Sequence, residues 1–220
     1  MDGSGHHRVM SATAVLFDLD GVIVDSRRAF AGSVNHALAA NGLAERDAAD
    51  LHPFIGPALH GTFRELAGDL ADACVASYRE HYTRTSAQET VVFDGMREAL
   101  AHLGARVPLA VATAKPAALA EPLLEALGLR EHFAVLAGPG LDAEAEGKTV
   151  TLGRALAALD RGASPVMVGD RLYDVVAAHD HGLAAVGVLW GTGDEAELQE
   201  AGADRIVRAP HELPAALGLS

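Results

Sequence analysis

The stretch Ala12-Thr-Ala-Val-Leu-Phe17-Asp18-Leu-Asp20-Gly21-Val-Ile-Val24-Asp25-Ser26 decides how this chain folds. A short apolar run rich in β-formers stops at two carboxylates, Asp18 and Asp20, spaced i, i+2, and glycine follows at once. Such a run reads as a buried strand of a parallel sheet, and the carboxyl ends of those strands are where open α/β sheets bind ligands. Two acids placed there can share a divalent cation, while Gly21 lets the backbone turn tightly beside them. An isolated Asp-x-Asp also caps helices and decorates turns, so the decision passes to the rest of the chain.

Working outward, strands are predicted over 12–17, 109–113, 134–137, 165–169, 184–189 and 205–207. Helical stretches lie between most of them, over 94–103, 116–127, 148–159, 172–181 and 194–201. That alternation argues for right-handed βαβ units in an α/β fold, with a Rossmann-like parallel sheet covered on both faces. From Arg27 to Val91 the rhythm breaks into helices over 27–41, 58–67 and 70–84, with no convincing strand. The expected organisation is therefore an α/β core from residues 12–26 and 92–210, carrying a small all-helical cap of residues 27–91 as a lid.

The 220 residues are 50% apolar and 21% charged, the balance of a soluble globular protein. With aromatics at 5%, the core must be built from Ala, Val and Leu. A formal net charge of −13 speaks against nucleic-acid and anionic-membrane partners, and an anionic substrate would have to meet locally placed cations such as a bound metal. Cys74 is the single cysteine, so no internal disulfide is possible, which suits a reducing cytoplasm; on an insert helix it is expected to be packing. The absence of a long apolar stretch and of a charged-then-apolar leader predicts neither membrane insertion nor secretion, and residues 1–7 read as a flexible tail.

Three later segments bear on Asp18 and Asp20. Ala110-Val-Ala-Thr113-Ala-Lys115-Pro116 is an apolar strand ending in a hydroxyl, with proline placed to begin a helix. Thr113 can bond a phosphate oxygen together with the exposed backbone N–H groups that follow, at Ala114 and Lys115; a plain helix N-cap is the alternative. Lys148 starts a helix, where a cation is electrostatically disfavoured and so informative. Gly147-Lys148-Thr149 is not a phosphate loop, because Asp142 stands where that motif needs glycine and Glu144 and Glu146 occupy the would-be cradle. In Val166-Met-Val168-Gly169-Asp170-Arg-Leu-Tyr-Asp174 an apolar strand is followed by acids at i and i+4. If the helix begins promptly, Asp174 lies under Asp170, and the pair could complete an oxygen cage for Mg²⁺; an Asp serving the helix dipole is the bland alternative. Gly191-Thr-Gly193-Asp-Glu-Ala196 fits a dinucleotide fingerprint, yet it comes too near the chain's end for the required βαβ unit, and Asp194 and Glu195 would repel a pyrophosphate.

The ordered set Asp18-x-Asp20-Gly21, Thr113, Lys148 and Gly169-Asp170-x-x-x-Asp174 resembles the haloacid dehalogenase-type hydrolase superfamily, and the helical insert resembles its smaller cap class. Phe54-Ile-Gly56-Pro57 and Leu189-Trp190-Gly191-Thr-Gly193 are similar to the phosphoglycolate phosphatase-like branch. The resemblance implies Asp18 as the nucleophile that becomes an aspartyl-phosphate, and Asp20 as the acid that protonates the leaving alcohol and then the base that deprotonates water. It implies Mg²⁺ between Asp18, the backbone carbonyl of Asp20 and Asp170. Thr113 and Lys148 would bind the phosphoryl oxygens, and Asp174 would orient Lys148 or metal-bound water. The implied activity is hydrolysis of a small phosphorylated metabolite, with phosphoglycolate as the default and nucleoside monophosphates and sugar phosphates as alternatives. Dehalogenation is disfavoured because its enzymes lack the second aspartate. A β-phosphoglucomutase-like isomerase is a rival by its similar first motif, but Phe30 stands where that branch carries a cap-hinge histidine. A non-catalytic phosphate-binding domain on the same fold is a further alternative. In the insert, Gly56 and Pro57 would bring backbone to the substrate, and Arg64 would steer a second anionic group or else sit on a solvated helix face. Trp190 would line the site or pack, and His179 and His181 suit a helix end better than a metal.

Overall fold

The expected first strand forms as β1, Ala14–Phe17, with all four side chains buried. A computed structural model describes residues 10–56, 58–141, 146–159, 162 and 164–220 of the chain. The expectations for residues 1–7, Pro57, Asp142 and Glu144 fall outside the described residues.

After β1 come a short strand β2 (Val24–Asp25) and the helices α1 (Arg27–Ala40), α2 (Ala48–Leu51), α3 (Leu59–Ala67) and α4 (Ala71–Glu89). Strand β3 (Val91–Val92) returns the chain to α5 (Met96–Gly104), β4 (Leu109–Ala112), α6 (Ala117–Ala126) and β5 (Val135–Ala137). The remainder is α7 (Lys148–Ala158), β6 (Pro165–Gly169), α8 (Leu172–Asp180), β7 (Ala184–Val188), α9 (Glu195–Glu200), β8 (Arg205–Val207) and α10 (Leu213–Ala216).

Six strands form one parallel sheet in the order β5-β4-β1-β6-β7-β8, with Phe17 level with Val111 on one side and Val168 on the other. The period of two sorts side chains to two faces. Val15, Phe17, Leu109, Val111, Val166 and Val168 pack against α5, α6 and α10, while Ala14, Leu16, Ala110, Ala112 and Met167 pack against α7, α8 and α9. Both faces are thus dry, which is why these strands read as continuous apolar runs. β1 lies centrally, and the connections leave it in opposite directions, toward β4 on one side and β6 on the other. Ligands of open α/β sheets bind at that point, beyond the carboxyl ends of the strands.

The insert has its own apolar cluster, in which Val34 and Leu38 of α1, Phe63 of α3 and Cys74, Tyr78 and Tyr82 of α4 are buried. Cys74 is packing, as expected. Beside the short helices α2 and α10, which the sequence reading did not predict, two features differ from it. β2 and β3 pair antiparallel as a ribbon at the root of the insert, each only two residues long, too short to show a period. Helix α4 runs to Glu89 instead of ending near Arg84, because no glycine or proline interrupts it before Thr90 enters β3.

Candidate active site

The carboxyl ends of β1, β4 and β6 lie side by side, so the residues that follow them, Asp18, Thr113 and Asp170, converge. The backbone N–H of Asp18 donates to the Val168 carbonyl at 3.0 Å, which extends the β1–β6 register to the nucleophile candidate. Gly21 then has φ +85°, which lets its N–H donate back to the Val24 carbonyl at 2.9 Å and close a tight loop. A Cβ at Gly21 would overlap the Asp170 carboxylate.

Lys148, at the start of α7, bridges two acids: its Nζ lies 2.9 Å from Asp18 Oδ1 and 2.7 Å from Asp174 Oδ1. The other oxygen of Asp174 accepts the Arg171 N–H at 3.2 Å and caps α8, the helix-start role weighed for it, while the first oxygen meets Lys148. Asp170 Oδ2 accepts from the Thr192 N–H at 2.7 Å and from the Thr192 hydroxyl at 2.9 Å. Its Oδ1 is buried with no hydrogen-bond partner. Burial, with Asp174 and Asp18 close by, pushes the Asp170 carboxyl up to about 7 against the pull of the Thr192 bonds. Burial likewise raises Asp18 to about 6, with Lys148 opposing and Asp174 and Asp20 adding to the rise. Burial alone would strip the charge from Lys148, but Asp174 and Asp18 outweigh it and hold the ammonium above its usual range.

Oxygens of Asp18, Asp170 and Asp174 lie within 4.8 Å of one another, a cluster able to hold a metal ion. The residues fit a hard divalent cation: all donors are oxygens, one is an orphaned buried carboxylate atom, and two of the acids are pushed toward neutrality by burial and, less, by mutual repulsion, both of which a cation would offset. A Cβ at Gly191 would overlap the Asp170 carboxylate and one at Gly193 the Asp170 backbone carbonyl, so glycines at these positions let the loop close around that residue. The dinucleotide-like spacing of Gly191 and Gly193 is thereby explained without a nucleotide cofactor.

Asp20 faces the other way. Both of its oxygens lie 2.6 Å from Lys115 Nζ, and Oδ1 accepts the Ser26 hydroxyl at 2.5 Å. Burial disfavours the Lys115 charge, but Asp20 more than compensates, and the ammonium stays above its usual range. Its Nζ also lies 5.0 Å from the centroid of the Tyr82 ring. The Lys115 N–H, expected to meet a phosphate oxygen, donates to Thr113 Oγ1 instead, and the Lys115 side chain is turned onto Asp20, the nearby charge that offsets its burial.

A cavity of about 370 Å³ opens over these groups. Asp18, Asp20, Thr113, Ala114, Lys115, Lys148, Asp170 and Asp174 form its floor, and Gly56 lies on the opposite wall with φ +105°. Thr113 Oγ1 accepts the Lys115 N–H at 3.1 Å. Arg64 is not brought to the site: α3 buries Thr62 and Phe63, which turns Arg64 outward to an exposed position away from the cavity wall. Arg79 and Arg171, which line the cavity, were missed by sequence reading. Arg171 pairs with Glu197 at 2.8 Å, and Arg79 donates to the Leu141 carbonyl. Trp190 packs against the core and donates from Nε1 to the Val22 carbonyl at 2.9 Å. His181 bonds the Thr149 carbonyl at 2.8 Å, and His179 faces Asp204 at 3.4 Å.

A family model of haloacid dehalogenase-like hydrolases matches residues 15–188, a span that contains every floor residue named above. The chain belongs to that family. This haloacid dehalogenase-like hydrolase is 38% identical over 186 residues to the tyrosine-protein kinase PtkA of Mycobacterium tuberculosis, covering 83% of this chain and 64% of that one. It therefore spans less than two thirds of the kinase's length. A solved structure of PtkA superposes with a TM-score of 0.82 at 35% identity, covering 94% of this chain and 99% of the solved one. A 5′-nucleotidase of Pseudomonas aeruginosa is 38% identical over 190 residues, 84% of this chain and 86% of the relative. A phosphoglycolate phosphatase of Chromobacterium violaceum is 34% identical over 217 residues, 91% of this chain and 94% of the relative. No helix among the described residues is long and apolar enough to cross a membrane.

Proposed function

We propose that this hydrolase cleaves a phosphomonoester of a small metabolite through a phosphorylated Asp18, with Mg²⁺ as cofactor. The observation that carries the reading is the meeting of Asp18, Lys148, Asp170 and Asp174 on one cavity floor beyond three parallel strand ends. A carboxylate oxygen of Asp18 attacks phosphorus as the bond to the leaving oxygen breaks, and Asp20, carrying into the step the proton it takes from water at the end of each cycle, gives it to that oxygen. Asp20 then takes a proton from water, whose oxygen attacks the same phosphorus, releasing phosphate and restoring the Asp18 carboxylate. Both Asp20 oxygens face Lys115 at rest, so proton delivery requires Asp20 to turn about its own side-chain bonds. Lys148 neutralises charge on the phosphoryl oxygens while keeping Asp18 aimed, Asp174 keeps Lys148 in place, and Thr113 with the N–H of Ala114 supplies further donors. Asp18 and Asp170, with the Asp20 carbonyl, would hold the Mg²⁺, whose charge offsets that of the phosphoryl group.

Residues 27–91 act in this reading as a cap that shields the phosphorylated Asp18 from bulk water and chooses the leaving group. Phe30 lies on the cavity wall, edge-on to Tyr78 at 5.9 Å, so an apolar ring stands where a phosphoglucomutase-like isomerase would carry imidazole; this favours hydrolysis. The phosphoglycolate phosphatase and 5′-nucleotidase relatives suggest two leaving groups with opposite demands, a second cation for the one and an apolar wall for the other. The net charge of −13 is consistent with neither a nucleic acid nor an anionic membrane as partner, and the buried thiol of Cys74 suits the cytoplasm. Turnover of p-nitrophenyl phosphate with and without Mg²⁺, by the native chain and by Asp18→Asn, tests the reading. Metal-dependent turnover lost in Asp18→Asn, with acid-stable phosphoprotein trapped only on the native chain, is expected. Equal rates from both proteins would refute it.

A further inference from the structure

We propose that the leaving group of this site carries a flat aromatic body, as in a nucleoside 5′-monophosphate or an aryl phosphate, and is not a short carboxylated alcohol; this rests on the phosphatase reading above. The first support is size. The cavity of about 370 Å³ lies within the range of clefts that enclose drug-sized ligands, and a two-carbon acid would leave much of it to water.

The second support is the chemistry of the upper wall. Phe30 and Tyr78 face the cavity from the insert with Phe54 and Leu59, and Leu119 faces it from the core. Phe30, Phe54, Leu59 and Leu119 are all half-buried, so each retains apolar surface that a flat ring could cover. A wall of such surface, continuous with the apolar cluster of the insert, suits a planar body better than a hydrated carboxylate.

The third support is charge. A carboxylated leaving group needs a cation beyond those that serve the phosphoryl group, and among the described cations of the wall only Arg79 has no acid beside it. Lys148 is held between Asp18 and Asp174, Lys115 by Asp20, Arg171 by Glu197, and His60 stands 3.6 Å from Asp72. Arg79 is committed through one nitrogen to the Leu141 carbonyl, although its Nε is buried without an acceptor. Glu146 on the same wall is itself paired with Arg154 and offers no free charge of either sign. An anion on the leaving group would thus depend on Arg79 alone, where an aromatic ring meets apolar contact on several sides.

The test compares kcat/KM with Mg²⁺ present for adenosine and uridine 5′-monophosphates, O-phosphotyrosine, phosphoglycolate and glycerol 3-phosphate. At least one aromatic substrate is expected to exceed phosphoglycolate by roughly tenfold or more, the scale of one stacked ring. The two nucleotides against phosphotyrosine identify which source supplies the ring. Phe54→Ala is expected to lower the ratio of the preferred aromatic substrate to glycerol 3-phosphate by a similar factor. An unchanged ratio overturns the proposal, and so does phosphoglycolate turned over as well as or better than every aromatic substrate. If Arg79→Gln then abolishes the phosphoglycolate preference, the guanidinium is a carboxylate clamp. Absence of any Mg²⁺- and Asp18-dependent turnover, p-nitrophenyl phosphate included, would instead refute the phosphatase reading itself.

Discussion

Replacing Asp170 with asparagine should make the metal-free protein more stable at pH 8 and leave it unable to gain from Mg²⁺. Asp170 is 1% exposed, and its carboxyl is raised from 3.8 to about 7 by burial and by Asp174 and Asp18. The folded chain therefore holds a proton that the unfolded chain releases. That linkage favours folding fully below about pH 3.8, fades as pH rises, and is gone above about 7, where the charge must be carried unpaired. At 1.36 kcal/mol per pK unit the ceiling is about 4 kcal/mol at pH 8. Asp18, raised to about 6, shares the repulsion, so the single-site effect should fall at about 1–4 kcal/mol. An asparagine carbonyl can still accept from both Thr192 donors, so the loop should survive the change. Urea unfolding in EDTA at pH 5.5 and 8.0, repeated with millimolar Mg²⁺, reads all of this. The variant should exceed the native protein at pH 8, by less at pH 5.5, and Mg²⁺ should stabilise only the native chain. A variant less stable than the native protein in EDTA at pH 8, or a difference independent of pH, would refute the view that these carboxylates repel one another when no cation is bound.

Three further outcomes are expected. Gly21→Ala forces a left-handed backbone on a side chain and drives a methyl into Asp170, so calorimetry should show about 1–3 kcal/mol of lost stability and weakened Mg²⁺ binding. Lys148→Met removes the cation between Asp18 and Asp174, and urea unfolding at pH 8 should register a loss of about 3–5 kcal/mol, partly recovered at pH 5.5 as Asp18 takes up a proton. Lys115→Met should lower kcat more than tenfold and change KM less than threefold, because the ammonium contacts Asp20; the opposite split would make Lys115 a phosphate ligand.

Much of the core was legible because its strands are dry on both faces. Pro165–Gly169 and Arg205–Val207 run to the residues predicted, bounded by turns that apolar patterning makes visible. The convergence of Asp18, Thr113, Lys148 and Asp170 followed from strand ends and one helix start, features a local reading can find. Pairings across long separations were not legible: Lys115 and Asp20 lie 95 residues apart, and nothing near either reports the other. Arg64 was named and Arg79 missed because both lie on insert helices, and only the packing of α3 and α4 decides which of them faces the cavity. The spacing of Gly191 and Gly193 invited a nucleotide fingerprint, when the real constraint was the room Asp170 needs beneath them.

The chain's single tryptophan is Trp190, tied by its indole N–H to the Val22 carbonyl, with Gly21 adjoining Val22 and Gly191 adjoining Trp190 in the chain. Emission excited at the red edge of protein absorption thus arises from one fluorophore, placed where the loops enclosing Asp170 meet. Loading of the acidic cluster should register there as a change in colour or brightness, giving a reagent-free titration that needs neither turnover nor an added dye.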